Sequence, residues 1–116
     1  MSTVVIWVSD LERSVNFYSA LFDDKSPYRT TGFASVSGQG NEVLIHLLPE
    51  EHRSEPTLGE DNPIKPVFDV YSIDQARLAA GRTGGRIKSE VSEHNNWNYA
   101  DGNDPDGNVI QVREGF

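Results

Sequence analysis

The first apolar run, residues 3–8 ("TVVIWV"), is β-branched and aromatic, as suits a buried strand. Polar "SDLE" follows. From there Leu11, Val15, Tyr18 and Phe22 recur at helical spacing, with Phe17 and Leu21 widening the stripe. The pattern predicts a helix over residues 11–22, opened by a capping box in which the Ser9 hydroxyl and the Glu12 carboxylate satisfy first-turn amides. "DDKSPYRTTG" breaks the helix, and "FASVSGQGNEVLIHLLP" reads as two short strands around the Gly38-Gln39-Gly40 turn.

Residues 49–63 ("PEEHRSEPTLGEDNP") have no apolar face, with three prolines and five acids against one arginine, and read as a solvated linker. The earlier pattern then recurs. "IKPVFDV" is a strand, "SIDQARLAAG" a helix with Ile73, Ala76, Leu78 and Ala79 as its apolar residues, and "TGG" its stop. "GRIKSEV" and a short "WNYA" are further strands, "ADGN" is turn-like, and "NVIQVRE" is the last strand. Strand–helix–strands therefore occurs twice, about sixty residues apart. A unit of that size cannot bury its own sheet face, so the copies must pack or pair. The expected organisation is one domain over 1–116, with a first module 1–48, the linker 49–63 and a second module 64–116.

Length and composition agree: 116 residues suffice for one core, and 36% hydrophobic content is that of a folded, soluble chain. Cysteine is absent, which excludes disulfides, thiolate nucleophiles and zinc–thiolate sites and fits a cytoplasmic protein. The opening "MSTVVIWVSD" lacks a basic leader, and its apolar run is too short to span a membrane. A net charge of −8 argues against nucleic acid or an anionic membrane as partner. No glycine-rich phosphate loop, helical His-x-x-x-His pair or nucleophile elbow is found.

Three segments carry a resemblance: "VSDLERSVNFYSALF" (8–22), "FDVYSIDQA" (68–76) and "DPDGNVIQV" (104–112). Together they resemble the vicinal-oxygen-chelate superfamily of glyoxalases, bleomycin- and fosfomycin-resistance proteins and extradiol dioxygenases. The resemblance implies an α+β fold, in which two βαβββ modules form a curled mixed sheet, an open bowl with helices on its convex face. It also implies a homodimer with the bowl completed across chains. It does not choose between metal enzymes and metal-free binders. The "DPDG" itself reads as structure: Asp104 accepts backbone amides, Pro105 presets a turn and Gly107 supplies a positive φ.

Period-two alternation sorts the strands. Ile6, Val8, Ile45, Phe68, Val70, Ile110 and Val112 fall on the helix side. Thr3, Val5, Trp7, Leu44, His46, Lys65, Val67, Asp69, Val109, Gln111 and Arg113 fall in the bowl. The resemblance carries the family's metal positions onto Thr3, His46, Lys65 and Gln111. One imidazole and one amide beside a lysine are a poor set for a hard divalent ion, so neither metal nor other cofactor is expected.

What remains is a mostly apolar concavity with a few convergent polar groups. Arg113 can grip a carboxylate or phosphate, and Trp7 can stack on a flat ligand. His46 is open between a ligand contact and a structural residue, and Asp69 is expected to pair with Lys65 or Arg113. The loop "EHNNWNYADGND" adds Trp97 and Tyr99, with His94 facing solvent. The expected ligand set is thus Trp7, His46, Lys65, Trp97, Tyr99, Gln111 and Arg113. The expected function is metal-free binding of an aromatic or anionic small molecule in a dimeric cleft. The alternative is a divalent-metal lyase, isomerase or dioxygenase of the same superfamily.

Overall fold

The computed structural model describes residues 2–53 and 64–115, Ser2 by its backbone alone. The rest of the expected linker lies outside the described residues; its beginning forms a 3₁₀ turn at Glu50–His52.

Strand β1 (Ser2–Val8) leads through a tight corner into helix α1 (Leu11–Phe22). Strands β2 (Tyr28–Arg29), β3 (Phe33–Gly38) and β4 (Asn41–Leu47) follow, giving a sheet ordered β1-β4-β3-β2 in which β1 and β4 run parallel. The β3–β4 hairpin turns on Gln39 and Gly40, both at positive φ (56° and 87°), as a two-residue turn between twisted strands requires. Alternation puts Ile6, Val8, Ala34, Val36, Val43 and Ile45 under α1.

The helix starts differently from the expected capping box. Asp10 is the N-cap, its carboxylate accepting from the Arg13 amide at 3.0 Å, while Glu12 reaches outward to Arg29. Ser9 is taken by another partner: its amide and hydroxyl donate to the Asp106 carboxylate at 2.7 and 3.0 Å.

The second half repeats the plan. Strand β5 (Val67–Asp69) and helix α2 (Ile73–Arg82), capped by the Ser72 hydroxyl, precede β6 (Arg86–Ile87), β7 (Ser92–His94), β8 (Trp97–Asn103) and β9 (Val109–Gly115). This sheet runs β5-β9-β8-β6 with β7 also on β8, and β5 is parallel to β9. Ile73, Ala76, Ala79 and Ala80 face inward. Leu78, expected among them, is 60% exposed, because two residues on from Ala76 is more than half a turn around the helix. Among the described residues no helix is long and apolar enough to cross a membrane.

"ADGN" is strand, not turn: β8 continues through it to Asn103. Ala100 and Gly102 are the inward positions, and Gly102 has no side chain because β6 lies directly against it. A Cβ on Gly102 would stand 2.3 Å from the Arg86 carbonyl oxygen and 2.7 Å from Ile87 Cδ1. The chain reverses later, at Gly107 (φ 87°).

A single core joins the halves. Phe68 packs edge-on against Phe22 and Tyr18, with ring centroids 5.2 and 6.0 Å apart. Around it the closing turn grips α1. Buried Asp104 accepts from the Tyr18 hydroxyl at 2.7 Å, the Asp106 amide at 3.0 Å, and the amide and side chain of Asn108, each at 2.9 Å. Asp106 accepts from Arg13 at 2.8 Å besides Ser9. At the other end of the junction, the Asn41 and Gln39 side chains hold backbone groups of Asp69 and Tyr71.

Burial raises the Asp104 carboxyl above its usual range against the pull of its four donors, and the same burial pushes the Tyr18 hydroxyl well up. Tyr18→Phe keeps the ring packing and removes one donor from a buried carboxylate. It is expected to cost about 1.5–3 kcal/mol in urea unfolding at neutral pH. The sign with pH follows from the raised folded pKa of Tyr18: its contribution is complete below the ordinary tyrosine value of about 10 and is lost as pH rises through the raised one. The gap between wild type and Tyr18→Phe therefore narrows above that pH.

Candidate functional site

The sheet faces turned away from the helices carry the polar and aromatic residues. On the first sheet the parallel register sets Trp7 opposite His46. Their rings stack, centroids 4.6 Å apart and planes 24° from parallel. Phe33 lies opposite His46 from the other side, its centroid at 5.0 Å, and Tyr28 follows Phe33 at 6.3 Å. An aromatic row, Trp7–His46–Phe33–Tyr28, thus crosses all four strands. Trp7 is 52% exposed and belongs to this face, not to the core. His46 has ring neighbours on both sides and no carboxylate partner among the described residues.

On the second sheet the same face is ionic. Arg113 donates through Nε to Asp69 at 2.5 Å, and its guanidinium carbon sits 4.0 Å over the Trp97 ring. Tyr99 lies opposite Arg113 on β8. The hydrogen bond to Asp69 raises the arginine's pKa further, so Arg113 is a permanent cation. Trp97 and Tyr99 are strand residues, as the expected short "WNYA" strand has it and against their expected place in a loop, because β8 begins at Trp97 itself.

Lys65 pairs with Asp101, not with Asp69. Its Nζ and the Gln111 side-chain nitrogen both donate to Asp101 Oδ1, each at 2.9 Å. The Lys65 hydrogen bond chiefly, and that of Gln111 after it, holds the Asp101 carboxyl below its ordinary range.

The two faces are equivalent by position. "GNEVLIH" (40–46) and "GNVIQVR" (107–113) enter β4 and β9 alike, so His46 matches Arg113. Their cross-strand neighbours, Trp7 and Asp69, match too. One half answers with a stacked aromatic pair, the other with an ion pair.

The four positions carried over for a metal do not converge on one. Register sets Glu42, not His46, opposite Thr3, and the Thr3 hydroxyl donates to Glu42 at 2.7 Å. His46 lies four residues further along β4, roughly 13 Å at the rise of a strand. Lys65 is a cation, and Gln111 presents its amide nitrogen to Asp101. Among the described residues no three His, Asp or Glu side chains are grouped so as to hold a metal ion. This donor set does not fit a divalent ion.

Of the expected ligand residues, the structure joins Trp7 with His46, Lys65 with Gln111 through Asp101, and Trp97 and Tyr99 with Arg113. Among the described residues no hydrogen bond, ion pair or ring contact links the aromatic row to the Arg113 cluster. Phe33 and Asp101 were not foreseen. One hollow, about 300 Å³, lies on the other side of the molecule, between the helices over Ala20, Ala76 and Ala79. Another, about 190 Å³, adjoins Lys65, Lys88, Asp101 and Asn103. The aromatic row borders neither, and the first sheet's face stays open within one chain.

Over residues 1–112 the sequence matches the profile of the Glyoxalase/Bleomycin resistance protein/Dioxygenase superfamily. The chain belongs to this family. Solved structures agree in fold. A glyoxalase/bleomycin resistance protein from Albidiferax ferrireducens T118 superposes with a TM-score of 0.73 at 23% identity, over 98% of this chain and 97% of its own. A glyoxalase/bleomycin resistance protein/dioxygenase family enzyme from Burkholderia phytofirmans PsJN gives 0.71 at 19% identity, over 99% and 98%. The fosfomycin resistance protein FosX from Mesorhizobium loti gives 0.70 at 16% identity, over 100% and 92%. No curated protein sequence matches significantly. At these identities the neighbours share the family's fold, and nothing finer about activity follows from them.

Replacing Lys65 by Met removes the first cause of the lowered Asp101 pKa, so that pKa moves up toward the ordinary carboxylate value, about 3.9. The Asp101 contribution to stability is present above that value and fades as pH falls through the lowered one. It is small, because the carboxylate is 42% exposed and screened. Carbon-13 NMR titration of the Asp101 carboxyl measures the shift; an unchanged titration would refute the pairing.

Proposed function

We propose that the chain binds a small aromatic or anionic compound on these sheet faces without a resident metal, as a homodimer whose chains close the cleft together. The observation that carries this reading is the fate of the metal positions. Lys65 and Gln111 both act as donors to Asp101, and Thr3 is spent on Glu42. A binding role suits what the faces offer instead: an exposed aromatic row on one, and a cation backed by Trp97 on the other. An anionic group on a flat ligand pairs with Arg113, and the flat part stacks on Trp7 or Trp97.

The dimer rests on surface chemistry. Val5, Trp7, Tyr28 and Val67 are large, apolar and exposed on faces that an isolated chain leaves in water. A second copy placed by a two-fold axis covers both faces at once, since such an interface is self-complementary. The competing reading, a divalent-metal lyase, isomerase or dioxygenase, needs several carboxylate or imidazole donors, and the four positions supply His46 alone.

Titration with 2-naphthoate, followed by tryptophan fluorescence, is expected to saturate, and Arg113→Met to weaken binding about tenfold, which is about 1.4 kcal/mol. Copper-loaded bleomycin, a cationic ligand, is expected to bind more weakly than naphthoate; the reverse order would sink the anionic pocket. Elemental analysis after incubation with Ni²⁺, Mn²⁺ or Fe²⁺ is expected to find no stoichiometric metal, and one ion per chain would overturn the metal-free reading. Light scattering is expected to give twice the chain mass.

A further inference from the structure

Strand β5 is three residues long and hydrogen-bonded to β9 on one side alone. Its outer edge, the backbone of Asp69, is closed by one side chain from the first half. Asn41 Nδ2 donates to the Asp69 carbonyl at 2.7 Å, and Asn41 Oδ1 accepts from the Asp69 amide at 2.9 Å. The second Nδ2 hydrogen goes to the Gly38 carbonyl at 3.1 Å. The side-chain amide thus stands in for a neighbouring strand, every polar atom of it used, with the residue 6% exposed.

Asp69 is also the residue whose carboxylate holds Arg113. Its backbone is fixed by Asn41 on one side, and on the other β9 brackets it, with the Val70 amide donating to the Arg113 carbonyl at 2.9 Å. The direction of the carboxylate therefore depends on a residue in the other half of the chain.

The position-equivalent asparagine shows that this use is not forced by the turn. Asn108 also follows a positive-φ glycine and stands just before a strand, yet it spends its amide within its own turn, on Asp104. Asn41 reaches across to the other half.

We propose that Asn41 is a positioning residue for the anion-binding arginine: by pinning the Asp69 backbone it sets the Asp69 carboxylate, and through that the Arg113 guanidinium. The inference rests on the ligand role assigned to Arg113 above and adds that this role is set by the junction between the halves. Loss of Asn41 frees the β5 edge, lets Asp69 turn, and leaves Arg113 with Trp97 and Tyr99 to orient it.

The test uses the full-length protein with Asn41→Ala, Asn41→Asp, Asp69→Ala, the Asn41→Ala/Asp69→Ala double variant, and Tyr18→Phe as a control that weakens the other junction without touching Arg113. Asn41→Asp keeps the acceptor for the Asp69 amide and loses the donor to its carbonyl. The first readout is the Arg113 Nε–H signal in NMR. It is expected to exchange slowly in wild type and Tyr18→Phe, and to exchange faster and shift in both Asn41 variants. The second is 2-naphthoate affinity, expected to fall about five- to tenfold in Asn41→Ala and to fall no further in the double variant, because both changes act through one carboxylate.

An Arg113 Nε–H signal unchanged in Asn41→Ala, or effects of Asn41→Ala and Asp69→Ala that simply multiply, would overturn the proposal. So would an equal change in Tyr18→Phe, which would make it general loosening of the fold. If wild type fails to bind 2-naphthoate, the ligand reading falls. The Arg113 signal then still decides whether Asn41 sets the arginine.

Discussion

Asp104 is a carboxylate with almost no water around it, and the architecture of the chain is organised to satisfy it. Removing a carboxylate from water is expensive unless donors replace the hydration lost. Three of the four donors come from the turn's own residues, Asp106 and Asn108, and the fourth is the hydroxyl of Tyr18, from the middle of α1. Asp106 adds the amide and hydroxyl of Ser9 and the guanidinium of Arg13. The helix of the first half is thereby fixed at its start and its centre by the turn that launches β9. Since β1 enters that helix and β9 leaves that turn, the strands bearing Trp7 and Arg113 inherit their placement from these few polar contacts.

Given that frame, the two faces differ by substitution at matched positions. The strand pairs β1/β4 and β5/β9 are both parallel and carry the contrasting pairs at corresponding places. A stacked pair gives a flat, polarisable, weakly polar surface, while an arginine tied to aspartate gives directed charge with little rotational freedom. A ligand touching both experiences opposite demands at its two ends, and a compound that is purely apolar or purely ionic satisfies half of them. The duplicated fold has thereby become an asymmetric surface without changing its backbone plan.

The alternation of β1, β4, β5 and β9 was readable in the sequence because each strand buries one face and exposes the other, and period two leaves no third arrangement. Register was not readable. Nothing in "VLIHLL" says that His46 stands beside Trp7 while Glu42 stands beside Thr3; that follows from how two strands distant in sequence align. The extent of β8 was hidden for a related reason. Gly102 looks like a turn residue until β6 is laid against it, when smallness becomes a packing requirement. With β8 went Asp101, the acceptor on which Lys65 and Gln111 converge. Ser9 lost its expected capping role to a carboxylate 97 residues away, which no local rule can anticipate.

The contacts of the closing turn also order events in time. Ser9, Arg13 and Tyr18 meet their acceptors across separations of 97, 93 and 86 residues, among the longest the chain can make. During synthesis the first helix emerges long before the turn that anchors it. Until that turn is made, a buried tyrosine hydroxyl and an arginine lack the carboxylates they pair with. Loops of that length are slow to close, so these contacts form late in folding. A nascent chain therefore carries its first sheet and helix unlocked until Asp104 and Asp106 have been made, and the closing turn ties both halves together.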